Sequence, residues 1–263
     1  MSGPLLDVQD LTVRFGGLTA LSGVTFQVTQ GAVHGLIGPN GAGKTTAFNL
    51  ISGMTPQTSG SVTLDGAALD GLPTWRRTAR GLARTFQNIR MFREMSALEN
   101  VMAGAHLRTQ ESLAAILFRF PNFRAQEKQA VEQAREILDF VGLADQANRP
   151  GGDLPYGDQR RLEIARALAT APRLLMLDEP AAGMNPSEKQ GLIDLIGKLR
   201  ARGLTLLLVE HDMHFVMKLC DRITVLNFGA KIAEGAPAEV RADPTVIEAY
   251  LGAKVARNLE ARA

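Results

Sequence analysis

This 263-residue chain has one cysteine, short apolar runs and nearly balanced charge. The single cysteine, Cys220, excludes an internal disulfide and favours a reducing compartment. The longest apolar runs, Leu174–Leu177 and Leu204–Val209, are far shorter than the roughly 20 residues that span a bilayer. Met1–Asp10 lacks the pattern of a secretory signal. The net charge of +2 is too small to indicate a nucleic-acid partner. We therefore expect a globular protein that reaches a membrane only through a partner.

The order of predicted elements describes an α/β protein with a helical insertion. Period-two alternation or short apolar runs predict strands over Leu6–Val13, Val24–Val28, Val33–Ile37, Ser61–Leu64, Leu82–Phe86, Leu174–Asp178 and Thr205–Glu210. Apolar positions at helical spacing predict helices over Lys44–Ile51, Gln126–Val141, Arg160–Ala169 and Ser187–Ala201. Strands that alternate with helices after Gly157 indicate a parallel sheet.

A phosphate-binding loop is the strongest motif in the chain. Residues 38–45 read Gly-Pro-Asn-Gly-Ala-Gly-Lys-Thr, which fits G-x-x-x-x-G-K-[ST] between a predicted strand and a predicted helix. The glycines let backbone N–H groups surround phosphate oxygens, and the helix N-terminus adds a positive dipole end. Lys44 would contact the β- and γ-phosphates, and the Thr45 hydroxyl would hold Mg²⁺. The motif predicts nucleotide binding.

A second motif places two carboxylates after an apolar strand. Residues 174–180 read Leu-Leu-Met-Leu-Asp-Glu-Pro. Asp178, at the end of the strand, is expected to provide a further Mg²⁺ contact, and Glu179 is placed to activate a water molecule as a general base. Taken alone, this segment could be an acidic turn. Beside the phosphate-binding loop, it indicates a nucleotide-hydrolysing site.

Further landmarks resemble those of the ABC (ATP-binding cassette) ATPases. Residues 154–168 begin Leu-Pro-Tyr-Gly-Asp-Gln and resemble the family's L-S-G-G-Q signature, followed by an arginine-rich helix. Phe15 matches the aromatic that stacks on adenine, Gln87 the Q-loop glutamine, Ala181–Pro186 the D-loop, and His211 the switch histidine. The resemblance covers residues 5–252, with a helical subdomain at about 95–165 and a tail at 253–263.

The resemblance implies a P-loop NTPase fold with a RecA-like parallel core and an N-terminal antiparallel β subdomain. It implies a head-to-tail pair of cassettes with ATP and Mg²⁺ between them. Glu179, His211, Gln87 and Lys44 would be the catalytic residues. The Mg²⁺ contacts would be Thr45, Gln87 and Asp178, partly through water. ATP would be bound by Phe15, Gly38, Pro39, Asn40, Gly41, Ala42, Gly43, Lys44, Thr45 and Thr46, and across the dimer by Tyr156, Gly157, Asp158 and Gln159.

Three features resemble the larger ATPase subunit of branched-chain amino acid importers. These are the tyrosine version of the signature, the ending Asp243–Gly252, and a long segment near Arg108–Arg124. The implied partners are a second ATPase subunit, membrane permease subunits at the cytoplasmic face and, indirectly, an external substrate-binding protein. Urea or amide importers and lipopolysaccharide export are alternatives, as is a non-transport ATP switch. Pro155 and Asn185 depart from the usual serine and aspartate, which leaves open a cassette that hydrolyses ATP poorly.

Several weaker signals have competing interpretations. The pair His211 and His214 lacks a zinc-site pattern, so we expect no zinc there. Six arginines follow Gly71 without an acidic residue between them; we expect a solvated face, with lipid, permease or nucleic acid as alternatives. Met91 and Phe92 are expected either to contact a permease or to pack in the core. We expect structural roles for His34, His106 and a buried Cys220. The arginines are Arg76, Arg77, Arg80, Arg84, Arg90 and Arg93.

Overall fold

Two β-sheets and the helices around them form the structure, a computed structural model that describes residues 3–105 and 121–251. The described strands are β1 (Pro4–Phe15), β2 (Leu18–Thr29), β3 (Val33–Ile37), β4 (Ser59–Leu64), β5 (Ala67–Ala68), β6 (Leu82–Arg84), β7 (Leu174–Asp178), β8 (Thr205–Val209), β9 (Arg222–Asn227) and β10 (Ala230–Gly235). The described α-helices are α1 (Lys44–Ile51), α2 (Thr74–Ala79), α3 (Ala97–Ala105), α4 (Pro121–Val141), α5 (Tyr156–Ala169), α6 (Pro186–Ala201), α7 (Met213–Leu219), α8 (Pro237–Ala242) and α9 (Pro244–Leu251). His106, Gly252, the tail at 253–263 and most of the segment Arg108–Arg124 lie outside the described residues.

The first sheet is antiparallel, with the strand order β2-β1-β4-β5. Leu6 and Val8 of β1 are buried and pair with Val28 and Phe26 of β2, so alternate residues form one apolar face. The predicted antiparallel β subdomain is confirmed. Both strands extend beyond their predicted ends because they continue together to a tight turn at residues 16–17.

The second sheet has the order β10-β9-β3-β8-β7-β6 and is parallel from β9 to β6. Strands β3, β7 and β8 are buried along their full lengths, which explains their uninterrupted apolar sequences. Because these strands run in the same direction, their carboxyl ends lie along one edge of the sheet. The phosphate-binding loop, Glu179 and His211 each follow one of these three ends.

Helices α3, α4 and α5 pack together and form the predicted helical lobe. Ala134, Leu138 and Val141 of α4 are buried at the predicted helical spacing. Helix α5 begins at Tyr156, four residues before the predicted start at Arg160.

Two predicted strand ends differ from the structure for a local reason. Strand β6 ends at Arg84, two residues early, because the N–H of Phe86 donates to Glu163 instead of to a neighbouring strand. Strand β8 ends at Val209 because the next residue, Glu210, turns its carboxylate towards backbone N–H groups of two loops. At the end of β6, the buried Glu163 carboxylate takes the place of a strand acceptor.

The expected solvated face of arginines is wrong for two of its six members. Arg77 is 2% exposed and donates to the carbonyl oxygens of Leu50, Ile51 and Leu72, where it caps the end of α1. Arg84 is also enclosed and pairs with a carboxylate. The carbonyl and carboxylate acceptors make burial of these cations tolerable. Arg76, Arg80, Arg90 and Arg93 are exposed, as expected.

Cys220 and His34 are buried, as expected. His34 stacks on Phe26 and hydrogen-bonds Thr224 Oγ1 at 2.9 Å. Burial lowers the pKa of His34 to about 4 and raises the pKa of Cys220 to about 12.

Candidate functional site

The loop between β3 and α1 has the backbone shape that phosphate binding requires. Gly41 and Gly43 adopt positive φ angles of 79° and 101°. A Cβ atom at Gly38 would lie 2.1 Å from the carbonyl oxygen of Leu226, so this position admits only glycine. Lys44 Nζ bridges the loop by donating to the carbonyl oxygens of Gly38 and Pro39, at 2.7 and 2.9 Å.

The side chains of this loop, and Phe15 beside them in the sequence resemblance, differ in exposure and in charge. Burial lowers the pKa of Lys44, and the Glu179 carboxylate partly offsets that effect. Thr45 is exposed and Thr46 is half-buried at the start of α1. Phe15 is 53% exposed where β1 ends, which leaves its ring free to receive a flat ligand. Pro39 is half-buried, Ala42 is buried, and Asn40 is exposed.

Glu179 is the point where three predicted catalytic side chains meet. Gln87 Nε2 donates to Glu179 Oε2 at 3.0 Å, and His211 Nδ1 lies 3.7 Å from the same oxygen. These residues follow strands β6, β7 and β8, so the parallel sheet brings them together. Glu179 has a φ of 46°, and its N–H donates to the carbonyl oxygen of Val209 at 2.9 Å. A left-handed non-glycine residue costs about 1–3 kcal/mol, and such strain is concentrated at functional sites.

Glu210 holds the loops on both sides of this cluster and was missed as a functional residue by sequence reasoning. Its carboxylate accepts the N–H of Ala181 at 2.8 Å and the N–H of His211 at 3.1 Å. Burial raises the pKa of Glu210, and the N–H donors offset part of the increase. The available signal was a carboxylate directly after an apolar strand, the same pattern that identified Asp178.

The segment that matches the signature begins α5 and contacts the segment that matches the D-loop. Pro155 is the N-cap residue, with φ −54° and ψ 153°. The Tyr156 hydroxyl donates to the carbonyl oxygen of Ala182 at 3.0 Å. Gly157 packs so closely that a Cβ would lie 2.9 Å from Glu188 Oε1. Among the hydrogen bonds of the described residues, none joins the 156–159 segment to the phosphate-binding loop. Within one chain, the described hydrogen bonds therefore do not join the residues predicted to bind ATP across a dimer to the phosphate-binding loop.

A buried ion pair attaches α5 to the segment that contains Gln87. Arg160 and Glu163 are 3.2 Å apart, with side chains 4% and 2% exposed. Arg160 donates to the carbonyl oxygens of Phe86, at 2.7 Å, and of Gln87, while Glu163 accepts the N–H of Phe86 at 3.1 Å. Sequence reasoning did not identify this clamp, although residues 160–163 read Arg-Arg-Leu-Glu. Burial raises the pKa of Glu163.

Asn185 takes a well-defined structural role. Its side chain accepts the N–H of Glu188 at 3.0 Å, and Glu188 accepts the N–H of Asn185 at 2.9 Å. This capping box begins α6. Because asparagine and aspartate are comparable N-caps, the departure from aspartate leaves the start of this helix intact.

The residues of the site fit a magnesium nucleotide. Gly38, Gly41 and Gly43 shape a loop whose single buried lysine lacks an anionic partner within salt-bridge distance among the described residues. The Thr45 hydroxyl, the Asp178 carboxylate and the Gln87 amide oxygen are hard oxygen donors, the kind that Mg²⁺ prefers. Within residues 3–105 and 121–251 no cluster of three or more His, Cys, Asp or Glu side chains is arranged to hold a metal.

Family models and known proteins agree with this geometry. A model described as ABC transporter matches residues 21–182. The chain belongs to the ABC transporter family. A second model, described as branched-chain amino acid ATP-binding cassette transporter, matches residues 230–256 of this cassette. The predicted family and the α/β P-loop fold class are confirmed.

Two curated relatives are similar to this chain along nearly their whole length. The high-affinity branched-chain amino acid transport ATP-binding protein BraF of Pseudomonas aeruginosa is 50% identical, over 96% of this chain and 99% of its own. The corresponding protein LivG of Escherichia coli is 47% identical over the same shares. A crystal structure titled as the ADP conformation of an ATP-binding cassette is 33% identical, with a TM-score of 0.83 over 95% of this chain and 99% of its own. No described helix of this cassette is long and apolar enough to cross a membrane.

Proposed function

We propose that this cassette is the ATP-hydrolysing subunit of an importer for branched-chain amino acids, at the cytoplasmic face of a membrane. The geometry that carries the proposal is the convergence of Gln87 and His211 on the Glu179 carboxylate, beside the phosphate-binding loop. The similarity to BraF and LivG along nearly the whole chain supports the substrate class. The proposed cassette spans residues 5–252, with the helical subdomain at about 95–165.

Each side chain of the site has a distinct proposed task. Backbone N–H groups of residues 38–45 and Lys44 bind the phosphates, while Phe15 contacts adenine. Thr45, Asp178 and Gln87 would hold Mg²⁺, which would neutralise phosphate charge. Glu179 accepts the proton of the attacking water, and Gln87 and His211 orient its carboxylate. His211 is 58% exposed and therefore accessible to a γ-phosphate.

The second half of each composite site would come from another cassette. Tyr156, Gly157, Asp158 and Gln159 lie at the N-terminus of α5, where backbone N–H groups and the helix dipole attract an anion. Tyr156 is 41% exposed, and Pro155 is also exposed, so this end is available to a partner. We therefore propose a head-to-tail dimer, formed with a second copy or a related cassette. No nucleic-acid partner is proposed.

A groove between the sheet and the helical lobe is the proposed contact for the permease. It has a volume of about 670 Å³ and is lined by residues that include Met54, Met91 and Phe92. Phe92 is 49% exposed, and the guanidinium of Arg166 lies 5.8 Å from the centre of its ring. Exposed apolar side chains bordered by cations suit a short amphipathic helix that carries acidic residues. The groove adjoins Gln87, so its occupant would contact the segment that reaches Glu179.

Replacing the proposed general base tests the catalytic assignment. We expect Glu179→Gln to retain ATP binding and to lower hydrolysis by at least roughly 10²-fold, the scale for loss of a positioned base. The measurement is ATP turnover by the cassette bound to its membrane subunits. Glu248→Gln, the same change at an exposed helix position, is the matched control. Near-normal turnover of Glu179→Gln would contradict the assignment.

Reconstitution tests the substrate class. The membrane subunits that co-purify with the cassette would be placed in proteoliposomes, with ATP on the cassette side. We expect uptake of labelled leucine, isoleucine or valine that depends on ATP and is abolished by Glu179→Gln. ATP-dependent uptake of urea without uptake of these amino acids, or export of a lipid, would contradict this part of the proposal.

A further inference from the structure

Arg84 connects the Asp178 carboxylate to the wall of the groove. Its Nη2 donates to Asp178 Oδ2 at 2.7 Å, and the two side chains are 7% and 6% exposed. Its Nη1 donates to Asn49 Oδ1 and to Ser52 Oγ, both at 2.8 Å. Ser52 and Arg84 both line the groove. One guanidinium therefore contacts both the proposed metal ligand and the proposed permease contact.

Two aromatic rings also lie beside this guanidinium. It lies 5.5 Å from the ring centre of Phe48 and 5.4 Å from that of Phe86, the residue before Gln87. A planar cation that donates to Asp178, Asn49 and Ser52 has a defined orientation, which a lysine ammonium would not reproduce. A shift of Phe86 or Ser52 would consequently displace the donor that holds Asp178.

We propose that Arg84 is a positioning residue that orients Asp178 for Mg²⁺ and relays occupation of the groove to that carboxylate. Asp178 Oδ2 is engaged by Arg84, whereas Oδ1 receives no hydrogen bond from the described residues and remains available to a cation. Fixing one carboxylate oxygen sets the direction of the other. The relay rests on the proposed function, because it requires the permease to occupy the groove. The orientation of Asp178 by Arg84 is independent of the permease.

Two other roles for Arg84 make different predictions. If Arg84 competed with Mg²⁺ for Asp178, removal of its charge would strengthen Mg²⁺ binding, and Arg84→Lys would have little effect. If Arg84 only stabilised the fold, its loss would lower the melting temperature without changing the dependence on Mg²⁺. If it positions Asp178, both Arg84→Gln and Arg84→Lys would weaken Mg²⁺ binding, since neither offers the same pair of donors.

The first experiment measures the binding of a fluorescent ADP analogue to the full chain as Mg²⁺ is varied. We expect Arg84→Gln and Arg84→Lys to raise the Mg²⁺ concentration for half-saturation roughly 10-fold or more, the usual effect of losing a residue that orients a metal ligand. The affinity for the ADP analogue without Mg²⁺ should change less than about twofold. The reason is that the hydrogen bonds of Arg84 to described residues do not include any residue of the phosphate-binding loop. Arg76→Gln, the same change at an exposed arginine, is the control.

The outcomes of this experiment decide between the three roles. An unchanged Mg²⁺ dependence in folded Arg84→Lys, or tighter Mg²⁺ binding by Arg84→Gln, would overturn the positioning role. Thermal melting establishes that each variant is folded. If Arg84→Gln does not fold, because it leaves the buried Asp178 without a cation, Arg84→Lys carries the test alone.

The second experiment removes only the contact on the groove side. Ser52→Ala deletes one acceptor of Arg84 and leaves the pair with Asp178 in place. We expect the half-saturating Mg²⁺ concentration to stay within about twofold, while stimulation of hydrolysis by the permease falls at least about threefold. Unchanged stimulation would overturn the relay. Failure of the permease to stimulate the unmodified cassette would instead contradict the proposed function, and the Mg²⁺ experiment would still decide the role of Arg84.

Discussion

Breaking the clamp between α5 and the Gln87 segment should destabilise the cassette strongly. Arg160→Met keeps much of the apolar stem but removes the ion pair with Glu163 and the hydrogen bonds to the carbonyl oxygens of Phe86 and Gln87. Loss of one partner from a buried pair costs about 3–5 kcal/mol. Against the usual 5–15 kcal/mol total, that is a large fraction of the free energy of unfolding.

A double-mutant cycle isolates the pair from its other contacts. Glu163→Leu alone leaves Arg160 buried without its carboxylate and leaves the N–H of Phe86 without its acceptor. The double variant removes both charges, so it should be less destabilised than the sum of the single variants by at least about 1–2 kcal/mol. Urea unfolding followed by circular dichroism at pH 7.5 measures all four proteins.

The pH dependence provides an independent check on the same cycle. Burial already raises the pKa of Glu163, and Arg160 lowers it in part. Without Arg160 the pKa rises further, so the folded state holds the proton more tightly than the unfolded state does. The penalty of Arg160→Met should therefore grow as the pH increases from 5 to 8. A cost below about 1 kcal/mol, strict additivity or a penalty that decreases with pH would refute the reasoning.

Three further predictions concern other parts of the cassette. Pro155→Ser should tighten ATP-dependent dimerisation roughly tenfold, about 1.4 kcal/mol, because the added hydroxyl contacts only the nucleotide of the opposite cassette. The ATP affinity of the monomer should stay unchanged for the same reason. Light scattering measures dimerisation and nucleotide titration measures monomer affinity, and an altered monomer affinity would count against the prediction. The folded-state pKa of His34 is about 4, below the unfolded value of 6.5, so the stability it contributes is complete above pH 6.5 and decreases as the pH falls towards 4. At pH 5 the loss should be about 2 kcal/mol by urea unfolding, and it should be absent in His34→Gln; equal pH profiles would contradict the assignment. Tyr250→Phe should be neutral or stabilising by up to about 1 kcal/mol, because this buried hydroxyl lies near the Gly38 backbone but outside hydrogen-bonding geometry. A loss above about 1.5 kcal/mol in chemical denaturation would show that the hydroxyl bonds Gly38 in solution.

The local sequence alone was sufficient for the phosphate-binding loop and the strand before Glu179. Predicted and observed limits coincide for α1, Lys44–Ile51, and for β7, Leu174–Asp178. These elements depend on neighbouring residues: a glycine pattern that needs positive φ, a helix that follows it, and an apolar run long enough for one buried strand. The roles assigned to the site residues remain predictions.

Only the tertiary structure decided which charged side chains are buried and what they hold. Arg84 and Asp178 are 94 positions apart, and Arg77 donates to Leu50, 27 positions before it. In the sequence, both arginines belong to a basic run that is indistinguishable from a solvated surface. Burial of a cation depends on acceptors that distant segments supply, and those acceptors come together only when the sheet and its helices pack. Gln87 and Glu179 meet for the same reason: a parallel sheet places the ends of strands that are distant in sequence at one edge.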